Sequence, residues 1–304
     1  MLTKLEYNIK DLECISGIKA HTIRIWEKRY NIFEPQRTAT NIRKYTDSEL
    51  RKLLAIVYLL KCGYKIGKLS KLSNNELFDL LKECEIYNQK EESYLMAMLS
   101  FDEEYFGNMF TKSISQIGFD ETFTKLIYPL LDKIGMLWIQ GSILPVHEHF
   151  VTNIIRKKII SEIEKQKPVP QKNCKVLFAL PETEGHEASI LYSYYLARKS
   201  GLKTLYLGQF VPRKDLYEII RNFNPDFFVT FFVTKIEDSV LNEIISDYEQ
   251  IFSKTKLIIS GNQVIERKLE INPNKTKIVN SPEEIKSIFE KCAQNSATIL
   301  SSPN

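Results

Sequence analysis

The sequence predicts a multidomain protein of α and α/β class: a winged helix-turn-helix head, a helical bundle, then a doubly wound, five-stranded parallel sheet of the flavodoxin-like kind. Three observations predict it. Residues 1–72 hold 15 Lys and Arg against 7 Asp and Glu, a net of +8, while the rest of the chain holds 27 against 31, a net of −4. Over 74–166 aromatic and aliphatic residues recur at three- and four-residue spacings, the period of a helix face. Beyond 173, short runs rich in β-branched and aromatic residues alternate with helical stretches. The expected domains are 1–73, 74–166, a linker at 167–173, 174–292, and a disordered tail at 293–304.

Composition narrows the classes further. With 304 residues, 43% hydrophobic and 26% charged, the chain can bury cores in two or three domains, which excludes wholesale disorder. The longest apolar runs, 53–60 and 227–233, are far short of the roughly 20 residues that span a bilayer. Lys4, Glu6, Lys10 and Asp11 interrupt the N-terminus, so no signal peptide is expected there. The five cysteines, at 14, 62, 84, 174 and 292, are scattered and form no CxxC pair. Unpaired thiols in a reducing cytoplasm, with no zinc ribbon and no disulfide framework, are the expectation.

In the head, 9–15 forms a short helix closed by Ser16 and Gly17, and 20–30 (AHTIRIWEKRY) forms a second. Two helices joined in this way make a helix-turn-helix, whose second helix can enter the major groove of DNA. Ile23 and Trp26 share a face with Leu12, which makes Trp26 a core candidate. A hairpin-like stretch follows, with Pro35, Arg37, Thr38, Asn41, Arg43 and Tyr45, then a helix from 47 to 62. Thr46/Glu49, Ser73/Glu76 and Ser100/Glu103 have the spacing of capping boxes.

The run SGI-x3-TIR-x-WE-x-RY, then P-x-RT-x2-N-x-R-x-Y, resembles the winged-helix DNA-binding domain of MerR-family transcription regulators. The resemblance implies DNA contacts from Arg24 and from the wing residues Arg37 and Arg43, with Tyr45 on backbone phosphate. It places His21, Thr22 and Lys28 at recognition-helix positions that reach base edges or phosphates. It further implies a homodimer on a pseudo-palindromic double-stranded operator and an indirect relation to RNA polymerase. Metal sensing through paired thiols is disfavoured, because Cys62 and Cys84 stand apart.

Two constellations remain. Trp138 and His147-Glu148-His149 lie in the helical middle. On residues alone Trp138 reads equally as core, and His147 and His149 would point about 200° apart on a helix, too far to share one metal. Glu184-Gly-His186 follows the first strand of the sheet domain, where ligands of parallel sheets bind, although a polar helix start reads the same way. Together, Trp138, the Glu148-His149 pair ten residues later, and the E-x-H after strand one resemble the cobalamin-binding module of CarH/LitR-like regulators. That resemblance covers about 76–290. It implies His186 as the cobalt ligand, Glu184 as its orienter, and Trp138, Glu148 and His149 against the upper ligand of adenosyl- or methylcobalamin.

Departures from that pattern concern the nucleotide-tail channel. Ser189 stands where the family has glycine, the strand-three motif reads Thr230-Phe-Phe232, and the glycine pair of strand four reads Ser260-Gly261. Ile139 replaces the histidine that light-sensing members carry, so photochemical bis-histidine ligation is not expected. Two readings compete with a cobalamin-sensing regulator: a regulator whose module has lost cobalamin and answers another ligand or protein partner, and a corrinoid-dependent methyltransferase component. The DNA-binding head argues against an enzyme.

Overall fold

A computed structural model describes residues 6–84, 91–166, 173–251, 254–265 and 267–300. Its packing divides into two compact units, Met1–Ile154 and Ile155–Asn304.

The first unit opens with β1 (Glu6–Tyr7), α1 (Ile9–Ser16), α2 (Ala20–Tyr30), β2 (Gln36–Arg37), β3 (Arg43–Thr46) and α3 (Asp47–Lys61). Capping explains where these helices begin and end. Asn8 and Asp11 form a capping box at the start of α1, and Gly17, at φ 72°, closes it in the left-handed conformation that glycine adopts without a Cβ penalty. The Glu13 carboxylate accepts from the Ala20 amide at 3.0 Å, giving α2 an acceptor for one of its free N–H groups. Thr46 and Glu49 box the start of α3. The three strands form a small antiparallel sheet in the order β1-β3-β2, in which β2 and β3 are the wing. Leu12 and Ile23 are buried, but Trp26 is only half-buried, a correction to its assignment to the core.

The bundle continues through α4 (Ile66–Leu69), α5 (Asn74–Cys84), α6 (Glu91–Ser100), α7 (Glu103–Ile117), α8 (Phe119–Thr122), a π-helical turn at Phe123–Ile127, α9 (Tyr128–Ile139) and α10 (Pro145–Glu164). No break in packing marks the expected boundary at 73/74. Leu50, Leu53, Leu54, Ile56, Val57 and Leu59 of α3 are all buried, because α3 packs against α1 on one side and α5 and α6 on others. Every position from Leu53 to Leu59 is buried, so this stretch of α3 is apolar all round and lies inside its unit, while Asp47, Glu49, Arg51 and Lys52 keep its first turns polar. The Ser73/Glu76 box forms, whereas Ser100 does not cap α7: its hydroxyl donates back to Met96 O and Ala97 O within α6, and Asp102 accepts from the Tyr105 amide instead. Phe101, at φ 52°, turns the chain between the two helices and puts Asp102 at the cap position.

The second unit follows the expected alternation: β4 (Lys175–Pro181), α11 (Ala188–Lys199), β5 (Lys203–Val211), α12 (Arg213–Phe223), β6 (Phe227–Phe231), α13 (Asp238–Ile251), β7 (Lys256–Ser260), α14 (Asn262–Ile265), β8 (Thr276–Ile278) and α15 (Pro282–Leu300). All pairings are parallel, in the order β5-β4-β6-β7-β8, the doubly wound arrangement whose chain reversal lies at β4. One face packs Leu177, Phe228, Phe232, Leu257 and Ile259 against Leu216, Leu241, Ile245 and Tyr248. On β4, Phe178 makes edge contacts with Tyr194 and with Phe289 of α15.

Two expectations are corrected here. Cys174, just before β4, and Cys292, on α15, form a disulfide across 118 residues of sequence. Sequence spacing does not reveal a pair that only the return of α15 to the sheet brings together. The expected tail from 293 is helical as far as Leu300, since no glycine or proline interrupts α15 after Pro282. The expected linker at 167–173 lies outside the described residues except Asn173. Among the described residues no helix is long and apolar enough to cross a membrane.

Candidate functional site

Arg24 and Lys28 project from α2, and Arg37 and Arg43 from the wing, and all four line one groove of about 540 Å³ with Glu27, Asn31, Phe33, Glu34 and Pro35. Four cations along the exposed edge of a helix-turn-helix form the electrostatic footprint of a polyanion site. His21 is exposed and Thr22 half-buried one turn earlier on the same helix. The wing is tied to the helix by one carboxylate. Glu27 accepts from Arg43 Nε at 3.0 and 3.1 Å and from the Tyr45 hydroxyl at 3.1 Å. Arg37 Nη1 donates to Asn41 Oδ1 at 2.7 Å and holds the wing tip.

Tyr45 is completely buried, and burial together with the Glu27 charge pushes its phenol pKa well above the usual value. Its placement on backbone phosphate is therefore corrected: Tyr45 locks the wing to the recognition helix from inside. Glu27, which the motif reading did not single out, organises both contacts.

In the bundle, the three residues at the start of α10 diverge. His147 is fully buried, stacked on Phe101 at 4.9 Å, and its Nδ1 accepts from the Leu144 amide at 3.1 Å. That bond places the ring proton on Nε2, and burial pushes the imidazole pKa down against the opposing charge of Asp47. His149 is largely exposed, with Nε2 3.6 Å from Glu148 Oε2, so the two histidines do face apart. Trp138 is 43% exposed and Ile139 78%, with Met136, Leu144 and Val146 also exposed. The end of α9 and the start of α10 thus carry several exposed apolar side chains.

In the second unit, β4 ends at Pro181 and the chain turns so that Glu184 points back under the loop. The Glu184 side chain is 3% exposed, and its Oε1 lies 2.6 Å from His186 Nδ1. It accepts four further hydrogen bonds: from the His186 amide at 2.9 Å, the Val233 and Thr234 amides at 2.7 Å each, and the Thr234 hydroxyl at 3.1 Å. Burial opposes ionisation, but these donors outweigh it and hold the carboxyl at a pKa of about 2. A carboxylate against Nδ1 fixes the tautomer and orientation of the imidazole, the arrangement found behind metal-binding histidines.

The predicted tail-channel residues are mostly spent on the fold. The Ser260 hydroxyl donates to Val279 O at 2.7 Å, and Phe232 is buried in the sheet core. A Cβ on Gly261 would meet Phe232 O at 2.3 Å, so position 261 requires glycine for this approach of the backbones. Ser189 sits half-buried in the first turn of α11. Thr230 is different: its hydroxyl is fully buried on β6 and has no hydrogen-bond partner. Motif reading missed Thr234, which comes from the loop after β6, some 50 residues from Glu184.

The model of the MerR HTH regulatory family matches residues 7–76, and that of the B12 binding domain matches 90–160. The chain carries a MerR helix-turn-helix domain followed by a B12-binding domain. The HTH-type transcriptional repressor CarH of Myxococcus xanthus is 27% identical over 73% of this chain and 77% of its own length. The repressor CarA of the same organism is 20% identical over 94% of this chain and 98% of its own. A solved structure, the monomethylamine corrinoid protein of Methanosarcina barkeri, matches 72% of this chain and 99% of its own at 12% identity and a TM-score of 0.51, a likeness of fold. The groove thus belongs to the MerR domain, and Trp138, Glu148 and His149 lie within the B12-binding match.

The depressed Glu184 pKa sets a pH dependence. A carboxyl that titrates near 2 when folded and near 4.5 otherwise stabilises the fold above pH 4.5, and this is lost as pH falls towards 2. The difference is worth about 3 kcal/mol by linkage. The denaturant midpoint of Glu184→Gln should therefore lie below wild type at pH 7 and converge on it between pH 4.5 and 2. A gap that stays constant across that range contradicts the assignment.

Proposed function

We propose that this protein is a DNA-binding transcription regulator, not an enzyme, whose effector module binds cobalamin through His186 Nε2. The single observation that carries the cobalamin reading is the Glu184–His186 pair: a nearly buried carboxylate fixed by five hydrogen bonds and set against Nδ1 of a ligating-type imidazole. The unpartnered Thr230 hydroxyl fits the same reading, since a buried hydroxyl costs free energy until a ligand acceptor reaches it. Trp138, Glu148 and His149, within the B12-binding match, are proposed to contact the cofactor, and adenosyl- or methylcobalamin would supply a cobalt-bound alkyl group. The relatives named transcriptional repressors support the regulatory role; a homodimer on a double-stranded operator, an indirect effect on RNA polymerase and a cytoplasmic location are part of the same proposal. The domains proposed are those of the sequence reading, except that α3 is shared between head and bundle and α15 continues through the expected tail to Leu300.

The buried Phe232 and the committed Ser260 favour, as a second reading, a module that no longer accepts a complete cobalamin. Visible absorption during titration of the full chain separates the two. Hydroxocobalamin should shift to the spectrum of histidine-ligated cobalt with its own base displaced, and cobinamide, which lacks the nucleotide, should bind at least as tightly. No spectral change with either corrinoid would leave the ligand-blind reading.

A further inference from the structure

The carboxyl end of β5 is bent in a way the sheet does not require. Ala179 of β4 pairs with Gly208 and Pro181 with Val211, so Gln209 and Phe210 stand opposite Leu180 alone, the two-against-one pattern of a bulge. Phe210 is held at φ 54°, in the left-handed region that costs any residue with a Cβ. Its ring is also 57% exposed, so core packing does not repay that strain. Instead the ring lies on Gly185, the residue between Glu184 and His186: a Cβ there would meet Phe210 Cζ at 2.9 Å. The Gln209 side chain donates to Gly185 O on the same residue.

A strained backbone that holds a large aromatic ring in solvent, at the ligand end of a parallel sheet and against the loop of a metal-type histidine, points to a role in binding. We propose that Phe210 is a positioning and specificity residue for the corrinoid: its ring forms an apolar shelf beside His186 that the flat macrocycle covers, and Gly185 is required so that the ring can lie close. The inference rests on the cobalamin reading above. It explains why strain is retained at a surface position, and why position 185 is glycine although its backbone is not in the left-handed region.

The test compares the full-length wild type with Phe210→Gly, Phe210→Tyr and Gly185→Ala, reading the melting temperature without ligand and the affinity for hydroxocobalamin and cobinamide by visible absorption. Phe210→Gly should melt no lower than wild type, because glycine relieves the left-handed strain. It should bind about tenfold more weakly, the scale of one aromatic contact, while still reaching the histidine-ligated spectrum at saturation. Phe210→Tyr should restore affinity, and Gly185→Ala should weaken it by displacing the ring. Wild-type affinity in Phe210→Gly, or a drop of several degrees in its melting temperature without ligand, would overturn the role of Phe210 while leaving the cobalamin reading in place. A wild-type protein that binds neither corrinoid overturns both.

Discussion

His186→Ala should abolish the histidine-ligated cobalt spectrum and weaken corrinoid binding by two orders of magnitude or so, the scale of removing a metal ligand. The expectation follows from geometry. Glu184 holds Nδ1 at 2.6 Å, and the Val233 and Thr234 amides hold Glu184, so the imidazole is already oriented and its loss forfeits a prepared ligand. Folding should lose the share of the Glu184 stabilisation that the His186 side chain supplies, one of five hydrogen bonds, while the other four donors remain. Glu184→Gln should act in a graded way, keeping an acceptor for the loop amides while removing the charge that faces His186 Nδ1. If His186→Ala kept the wild-type spectrum, ligation would have to come from elsewhere in the chain.

Glu27→Ala should damage the DNA-binding head more than the loss of any single cation in the groove. It leaves the buried Tyr45 hydroxyl without an acceptor and releases Arg43, at a cost of about 1–3 kcal/mol in stability. Specific DNA affinity should fall with it, even though a negative charge has been removed from a surface that meets phosphate. Arg24→Ala gives the contrasting pattern: stability unchanged, and affinity lowered by about 1–3 kcal/mol with relaxed preference at one position if Arg24 reads a base. If it instead holds a phosphate, the log–log salt slope should shrink by about one unit on every sequence. Glu27→Ala that keeps wild-type stability and tightens binding would show that the wing does not depend on this tie.

Legibility in the sequence followed the range of the interactions. The helix-turn-helix is written in neighbouring residues, with Asn8, Gly17 and Thr46 marking where helices begin and end, and the parallel sheet is written in apolar runs bounded by polar loops. Glu184 and His186 are two apart at a strand end, so their pairing is a local pattern as well. What escaped the sequence is long-range. Thr234 reaches Glu184 from the next strand but one in the chain, Cys292 meets Cys174 only after α15 has returned to the sheet, and Tyr45 is drawn inward by Glu27 on a different element. Phe210 escaped for another reason: nothing in the string Gly208-Gln-Phe-Val-Pro212 announces a bulge, which the register of β4 against β5 alone defines.

The central claim is that the DNA-binding head answers to what His186 holds. It is tested most directly by measuring the affinity of the full-length protein for duplexes that it selects from a random pool, with and without adenosylcobalamin, kept in the dark. The account predicts a change in affinity of about tenfold or more, within the usual range of coupling between two sites, and no change in His186→Ala. Equal affinity with and without adenosylcobalamin, in a wild-type protein whose visible spectrum shows the cofactor bound, would contradict it.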